Sequence, residues 1–528
     1  MLSLNKETCQ NQLDILNKFC TEWGLEVNEL KTKIIIFGKN KNYEIYNDSF
    51  KVQGKNIEIV DSYCYLGIDL HKSGSFQIAQ TSLKIKAMRA FFGLKRTIIR
   101  SKLSFKALTT LFDSLIKPII LYGAPIWTPN SSINKSITKY CHSTPHNIQN
   151  FISKIKRTPS EKVQLSFLKW ALGVHFKASN IGVWGESGRF PIIYQSIRLT
   201  LNYYKRLQEV PKNTFIHAAL QEQMKLKLTW YRNIEPLLQL DEIYHKDHVS
   251  AYKTIMRSST TSLGEERLVT NFTTLKDLLS LPKAIPLPSK KFRVENITNT
   301  IKKHFIQCWE HEKSNSSKLS FYHSQKVKFS RELYIDEVKG FSRRYNTTKL
   351  RISAHDLEVE RGRYNDTPKE LRLCSWCNTS MGVEIIENEH HLLFECDMYA
   401  NLRSKLITRI NSTSHMHNNE QIIFPLNLNT NNSMLKTNFM NLLSPNTAYE
   451  TQQISTNNQN SLHRLIVNNK KKKYNPETEA LIYQRSYIIN CLSTFICHAL
   501  EKRQKYVNNL KELERNQNTI VIHFRNST

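Results

Sequence analysis

Residues 83–106 read LKIKAMRAFFGLKRTIIRSKLSFK, and this stretch decides the predicted fold class of the chain. Its apolar side chains recur three or four positions apart, as they do on one face of an α-helix. They are Leu83, Ala87, Ala90, Phe91 and Leu94. The pattern predicts helix over residues 77–121, with a second helix near 105–116 that ends before Pro118. Helices of this kind indicate a mainly α protein.

The segment before this stretch predicts a small α+β piece at the N-terminus. Apolar residues at helical spacing occupy 8–23, and Gly24 follows where a helix C-cap is expected. Runs of β-branched and aromatic residues then predict short strands. These runs lie at 34–37, 50–52, 57–59 and 63–66. We therefore expect residues 1–75 to mix one helix with several strands.

The chain beyond residue 121 is predicted to be helical, with two polar interruptions. Helical periodicity returns at 163–172, 192–207, 208–345 and 476–516. Residues 130–160 are rich in Ser, Thr, Asn and Lys and predict a connecting loop. Residues 411–460 are rich in Asn, Ser and Thr and predict a long spacer.

The charge balance points to a polyanionic partner. Lys and Arg number 75 against 45 Asp and Glu, which gives a formal net charge of +30. Such a field attracts nucleic acid, because basic side chains neutralise backbone phosphates without reading sequence. The candidate contacts interleave with Phe91 and Phe92 on the helical stretch: Lys84, Lys86, Arg89, Lys95 and Arg96. A solvated helix face with no ligand is the competing interpretation.

Three of the ten cysteines cluster with two histidines late in the chain. Cys374 and Cys377 form a C-x2-C pair, and Cys396 follows His390 and His391. The short spacing predicts that the histidine and Cys396 lie on one face of a short helix. Three thiolates and one imidazole make a closed tetrahedral zinc site, which is structural and not catalytic. The spacing alone leaves open which histidine is the fourth ligand. The other cysteines are scattered, so a disulfide scaffold is not expected and a reducing, intracellular compartment fits.

No segment predicts secretion or a membrane span. Polar residues follow Met1 within four positions, and no run of ~18 apolar residues occurs. The fairly apolar stretch 487–500 is interrupted by polar residues and predicts a packed helix. We expect nuclear or cytoplasmic residence and no membrane partner, with residues 470–473 (KKKK) as only a weak localisation signal.

Several short strings occur in a definite order along the chain. They are NQLDIL at 11–16, WGLEVN at 23–28, KTKI at 31–34, YLG at 65–67, LYGAPIW at 121–127, LGV at 172–174, GESGRFP at 185–191, LRISAH at 350–355 and GRY at 362–364. In this order they resemble strings of LINE-type (non-LTR) retrotransposon reverse transcriptases. The resemblance covers residues 8–405 and rests on the order of the strings. The cysteine cluster falls where that family carries its C-terminal CCHC motif, and the family spacing favours His391 over His390.

The resemblance implies a division of the chain into six segments. They are the end of a polymerase palm at 1–75, thumb helices at 76–130, a helical connecting region at 131–345, a CCHC zinc-knuckle region at 346–410, a low-complexity linker at 411–475 and a C-terminal helix at 476–528. In this family the polymerase copies RNA into DNA at a nicked target, using Mg²⁺ held by palm aspartates.

The resemblance also implies roles for individual residues. Lys31 or Lys33 would lie near the phosphates of the incoming nucleotide, and Tyr65, Leu66 and Gly67 would hold the primer end. The basic helix at 84–106 would track the template–primer duplex. Cys374, Cys377, His391 and Cys396 would hold zinc in a module that grips template RNA or target DNA.

The sequence departs from the family at the catalytic box. No Tyr-x-Asp-Asp string occurs in the 528 residues. We therefore expect a fragment of an RNA-directed DNA polymerase that binds RNA and DNA without polymerising, with Mg²⁺ chemistry confined to a full-length parent enzyme. One alternative is an enzyme whose activity resides in a longer protein. Another is a non-enzymatic zinc-knuckle protein recruited to a new role in nucleic-acid binding.

Overall fold

A computed structural model of the protein is mainly helical, and the expected fold class is confirmed. It describes residues 2–28, 30–38, 50–129, 148–241, 293–411 and 476–525. The predicted linker at 411–475, apart from residue 411, lies outside the described residues, as do residues 470–473.

The N-terminal piece combines one helix with short strands, as the sequence predicted, and these strands form two hairpins, the second of which includes a strand that was not predicted. The elements are α1 (Lys6–Glu22), β1 (Lys51–Val52), β2 (Lys55–Asn56), β3 (Ser62–Tyr65) and β4 (Ile68–His71). Asn5 caps α1 by accepting a hydrogen bond from the Thr8 amide at 2.9 Å. Gly24 follows the helix with a φ of +64°, the left-handed conformation expected after a helix C-terminus.

Both hairpins are antiparallel, and the predicted strand at 34–37 is wrong. Lys51 pairs with Asn56 in the first hairpin, and Ser62 pairs with His71 in the second. Ile34 makes only a single parallel bridge to Ile59. A β-branched run becomes a strand only where an adjacent segment pairs with it through backbone amides and carbonyls along its length. Within the predicted run, the described residues pair in this way only at Ile34.

The middle of the chain is a succession of helices. They are α2 (Gln77–Thr97), α3 (Phe105–Leu111), α4 (Lys117–Ile120), α5 (Ala124–Trp127), α6 (Ile148–Arg157), α7 (Pro159–Leu172), α8 (Asn180–Ser187), α9 (Ile193–Gln208), α10 (Phe215–Lys225) and α11 (Thr229–Leu238). A turn of π-helix, Phe112–Ile116, and a 3₁₀ turn, Arg100–Lys102, lie among them.

Two expectations about this region are wrong. Helical structure does not stop before Pro118, because proline lies at the start of α4, where its missing amide breaks no helical hydrogen bond. The described part of the loop predicted at 130–160 contains α6, and residues 130–147 lie outside the described residues. In α6, Phe151, Ile152 and Ile155 are fully buried, and this tertiary burial outweighs the polar composition of the segment.

The last described stretch is also helical. Its helices are α12 (Val294–Asn315), α13 (Ser320–Gln325), α14 (Tyr334–Glu337), α15 (Phe341–Arg351), α16 (Glu358–Tyr364), α17 (Ser375–Met381), α18 (Ala400–Asn411) and α19 (Pro476–Arg525). Short 3₁₀ turns occur at Ser317–Leu319, Lys369–Leu371 and Asp397–Tyr399, and a π-helical turn at His391–Glu395. Leu492, Ile496 and Ala499 of α19 are buried, which confirms a packed helix at 487–500. Among the described helices, none is long and apolar enough to cross a membrane.

The chain forms two compact units, each assembled from separate segments. The first unit comprises Met1–Ala90, Ile116–Glu161 and Ile192–His304, and the second comprises Phe91–Leu115, Lys162–Pro191 and Phe305–Thr528. In the second unit, one apolar cluster includes Cys374, Leu393, Leu406 and Phe495. It therefore joins the cysteine-rich segment to α18 and α19. The six-segment linear division stays a prediction.

Candidate metal centre

The four predicted ligands come together in the second unit. The side-chain donor atoms of Cys374, Cys377, His391 and Cys396 all lie within 4.8 Å of one another, and all four residues are buried. The Cys377 Sγ lies 3.7 Å from the Cys396 Sγ and 3.4 Å from the His391 Nε2. Zinc bonds of about 2.3 Å to sulfur and 2.0 Å to nitrogen would separate tetrahedral donors by about 3.8 and 3.5 Å. The donor set therefore fits a tetrahedral metal ion.

Local backbone structure positions the first two cysteines. Cys374 immediately precedes α17, and its amide donates to the Ile385 carbonyl at 2.7 Å. Cys377 lies in the first turn of α17, and its carbonyl accepts from the Val383 amide at 3.2 Å. The chain thus turns back on itself after α17. Both thiols consequently face the same buried point.

A π-helical turn positions the other two ligands, which corrects the expectation that they share one face of an ordinary helix. Five residues advance an α-helix by about 500°, so His391 and Cys396 would point about 140° apart. Instead, the Cys396 amide donates to the His391 carbonyl at 2.9 Å, the i to i+5 bond of a π-turn. This wider turn brings the imidazole and the thiol to the same side.

The geometry distinguishes the two neighbouring histidines. The His391 side chain is 1% exposed, and its Nε2 faces the Cys377 thiol. Its Nδ1 lies 3.3 Å from the Glu395 carboxylate, which is the outer contact that metal-binding histidines usually make. His390 is 44% exposed and lies 2.9 Å from the same carboxylate. His391 is therefore the residue of this pair that belongs to the cluster.

Protons are unevenly shared among the four side chains. The hydrogen bond from the Cys396 thiol lowers the pKa of Cys374 to about 3, with a further contribution from His391. Burial, followed by the nearby Cys374, raises the pKa of Cys377 to about 11. Burial opposes a charge on His391, but the Cys374 and Glu395 contacts outweigh it and raise the pKa of the imidazole. A divalent cation would displace the remaining protons, because its ligands are thiolates and a neutral imidazole.

The C-terminal helix α19 holds this module in place. Arg503 donates two hydrogen bonds of 2.6 Å to the Glu387 carboxylate, and both side chains are nearly fully buried. The Trp376 ring packs edge-on against the Tyr506 ring, with centroids 5.2 Å apart. The candidate metal centre is therefore packed into the second unit and is not a separate finger-like module.

The other predicted site residues lie in the first unit and on α2. Lys33 pairs with the exposed Glu58 at 2.6 Å, and the Lys31 carbonyl accepts from the Tyr63 hydroxyl at 2.7 Å.

Tyr65 and Leu66 are exposed at the hairpin turn between β3 and β4. At Gly67, where φ is +81°, an added Cβ would lie 3.2 Å from the Tyr122 ring. Nothing in these contacts identifies a ligand, so the primer and nucleotide roles stay predictions.

The five basic residues of α2 are largely open to solvent. Lys84 is half-buried, and the other four are exposed: Lys86, Arg89, Lys95 and Arg96. Within the described part of the chain, none of the five forms an ion pair. They are available to a polyanion, and binding by them stays a prediction.

Sequence reasoning missed a buried ionic cluster in the second unit. Arg351 of α15 contacts the carboxylates of Glu186 and Glu332, and Lys326 pairs with Glu332. Burial would raise the pKa of Glu186, but Arg351 and Lys326 outweigh it and lower that pKa. The available signal was that Glu186 and Arg351 both lie inside strings that carry the family resemblance.

The comparisons with known proteins link the chain to mobile elements. Over 137 residues it is 28% identical to an uncharacterized transposon-derived protein of Caenorhabditis elegans, covering 26% of this chain and 48% of that protein. Over 108 residues it is 30% identical to a 115 kDa protein in a type-1 retrotransposable element of Drosophila melanogaster, covering 20% of this chain and 10% of that protein. No family model and no solved structure matches. The chain is thus related, at low identity and over part of its length, to transposon- and retrotransposon-derived proteins.

Proposed function

We propose that this chain is a nucleic-acid-binding part of a retrotransposon RNA-directed DNA polymerase, with a structural zinc ion in its second unit. The observation that carries the proposal is the buried Cys374, Cys377, His391 and Cys396 cluster, whose donor atoms lie within 4.8 Å of one another. The cluster follows, in the sequence, the strings that resemble reverse transcriptases, and the chain is similar over part of its length to a retrotransposon protein.

The chemistry of the donors favours zinc and a structural role. Soft thiolates with one imidazole suit zinc, and four protein ligands leave no open position for substrate. Bound zinc would cross-link α17 to the π-helical turn at His391–Glu395 and to Cys396, and its binding energy would stabilise the folded segment. The zinc is thus proposed to stabilise the fold of this segment, and unoxidised cysteines are typical of the reducing interior of a cell.

The net charge of +30 supports nucleic acid as the partner. RNA and DNA both fit, because contacts from Lys and Arg to phosphates do not distinguish bases. Polymerisation by this chain is not part of the proposal, since its 528 residues contain no Tyr-x-Asp-Asp box. The supporting surface includes the exposed cations of α2, among them Lys86 and Arg96.

The test combines zinc analysis with a salt titration of binding to a primed RNA template. The purified protein is compared with a Cys374→Ser/Cys377→Ser variant and with Cys64→Ser, which changes an exposed thiol in the first unit. We expect zinc in the parent and in Cys64→Ser, its loss in the double variant, and affinity that falls steeply with salt.

The two parts of the proposal fail separately. A parent protein purified under reducing conditions that takes up no zinc would refute the metal assignment. A zinc-loaded parent that binds neither the RNA template nor a DNA duplex at low salt would refute nucleic-acid binding. Circular dichroism of each variant shows whether a loss of binding accompanies a loss of folding.

A further inference from the structure

Two exposed aromatic side chains lie close together in the second unit, outside the sites considered so far. Phe176 is 71% exposed and Tyr364 is 56% exposed. Phe176 lies in the loop between α7 and α8, two residues after the LGV string at 172–174, and Tyr364 ends the GRY string at 362–364. Neither string has a role in the metal centre.

The loop that carries Phe176 is held firmly against its helix. The Val174 amide donates to the Lys169 carbonyl at 2.9 Å, and the Lys169 ammonium donates to the Phe176 carbonyl at 2.7 Å. Gly173 has a φ of +77°, and an added Cβ would lie 2.7 Å from the Tyr345 ring. The backbone therefore fixes the position of Phe176, and the ring is presented to solvent by a loop of defined shape.

A lysine ammonium lies between the two rings. The Lys177 Nζ is 6.0 Å from the centroid of Phe176 and 5.2 Å from that of Tyr364. Lys177 has no carboxylate partner among the described residues. Lys318 also lies near Tyr364, with its Nζ 5.5 Å from the ring centroid. Two rings and two ammonium groups therefore lie within a short distance of one another.

The group carries an excess of positive charge. Its cations are Lys169, Lys177, Lys318 and Arg363, and the buried carboxylate of Glu360 pairs with the last two at 2.7 and 2.9 Å. Burial and the neighbouring Lys318 lower the pKa of Lys169 to about 8. An anion bound here would relieve the repulsion between these two lysines.

We propose that Phe176 and Tyr364 form a stacking platform for bases of a single-stranded nucleic acid, with Lys169, Lys177 and Lys318 contacting its phosphates. This inference rests on the proposed nucleic-acid binding and names the form of the ligand and the place where it binds. A single strand repeats flat bases and phosphates at short intervals, which matches rings that lie close to ammonium groups. A duplex hides its base faces, and an acidic peptide has no flat faces to stack.

The test is fluorescence anisotropy with the full, zinc-loaded chain. The probes are an oligouridine RNA, an oligothymidine DNA of equal length and a duplex of that length. Phe176→Leu and Tyr364→Leu keep apolar volume but remove the flat ring, and Phe215→Leu changes an exposed aromatic residue of the first unit as a control. Each platform variant should bind both single strands roughly 5- to 50-fold more weakly, with duplex binding unchanged.

A salt titration separates the lysine contribution from the stacking contribution. Lys177→Ala should lower the slope of log affinity against log salt by about 0.7, the value expected for one phosphate contact on a single strand. Phe176→Leu should leave that slope unchanged. Lys212→Ala, at another exposed lysine, should leave both slope and affinity unchanged.

The outcomes distinguish this inference from the proposed function. Platform variants that bind single strands as tightly as the parent would overturn the platform while leaving nucleic-acid binding intact. Equal losses on single strands and duplex, or displacement of RNA by polyglutamate at equal charge concentration, would also overturn it. A parent chain that binds none of the three probes would overturn both proposals.

Discussion

The Arg351 guanidinium donates two hydrogen bonds, of 3.0 and 3.1 Å, to the Glu186 carboxylate across 165 residues of sequence. Both side chains are fully buried, and the Tyr334 hydroxyl donates to the same carboxylate at 2.5 Å. The contact joins α8 to α15 within the second unit. A buried ion pair adds little net stability compared with a well-packed apolar pair, but it makes the loss of either partner costly.

Replacing Arg351 with methionine should therefore destabilise the protein strongly. The variant removes the main partner of the buried Glu186 charge and leaves it with only Lys326 and the Tyr334 hydroxyl, which costs about 3–5 kcal/mol in the free energy of unfolding. Urea unfolding measures this difference. Arg331→Met is the matched control. Arg331 pairs with Asp336 at 2.9 Å, and both side chains are more than a third exposed. Loss of this exposed ion pair should lower the free energy of unfolding by less than about 1 kcal/mol. Equal losses in the two variants would contradict the prediction.

How much the sequence predicts depends on how local the determining contacts are. The spacing of Cys374 and Cys377 predicted their approach, because a short turn brings both thiols to one point. Helical periodicity likewise predicted α1 and α9, although boundaries shifted by a residue or two. The Glu186–Arg351 pair was not predictable from periodicity, since nothing within either segment records which distant charge is its partner.

The missed features share a physical cause in tertiary packing. Helix α6 has a polar composition, and burial of Phe151 and Ile155 decides its conformation. The π-turn before Cys396 is not visible in residue spacing, which led to the expectation of an ordinary helical face. The proposed platform depends on the exposure of Phe176 and Tyr364, which lie in distant parts of the sequence, and composition does not reveal this.

His391→Ala should abolish stable zinc binding, whereas His390→Ala should not. His391 supplies the buried nitrogen of the cluster, and His390 lies outside it on the exposed side of Glu395. A structural zinc site contributes its binding energy to folding, so loss of one ligand should lower the thermal unfolding midpoint. Zinc content and thermal unfolding, each with and without a chelator, check the prediction. A chelator effect of the same size in His391→Ala as in the parent would contradict it.

Glu395→Gln should weaken zinc binding without removing a ligand. The Glu395 carboxylate lies 3.3 Å from the His391 Nδ1 and orients the imidazole. Loss of such an outer contact typically lowers metal affinity about 10- to 100-fold. Competition with a chelator of known affinity measures the change. Glu384→Gln, at an exposed acid beyond α17, is the control and should bind zinc as the parent does.

Lys169→Met should remove part of the pH dependence of stability in the alkaline range. Burial, with a further contribution from Lys318, lowers the pKa of Lys169 from 10.5 to about 8. Between these values the unfolded chain binds more protons than the folded one, so this group makes the free energy of unfolding rise with pH. From pH 8 to 10.5, the free energy of unfolding of the parent should therefore rise relative to that of the variant.

Urea unfolding at a series of pH values measures this difference. Lys162→Met, at an exposed lysine on the same helix, is the matched control. The lowered pKa of Lys169 would be contradicted if the parent-minus-variant difference in the free energy of unfolding fell with pH. It would also be contradicted if Lys162→Met gave the same pH-dependent difference. The comparison of variants cancels the titration of other groups, because those groups are common to both proteins.

Gly188→Ala should destabilise the protein far more than Gly54→Ala, although both glycines adopt a positive φ. The φ values are +61° and +76°, so a side chain at either position incurs backbone strain of about 1 kcal/mol. At Gly188 the added Cβ would also lie 2.3 Å from the Arg331 amide nitrogen, whereas Gly54 has no atom within 4 Å of it. The backbone at Arg331 forms a bridge to Ser187 and cannot retreat without breaking it. We therefore expect Gly188→Ala to lower the free energy of unfolding, measured with urea, by at least about 2 kcal/mol more than Gly54→Ala does. Equal losses would show that backbone strain, without a steric clash, accounts for both effects.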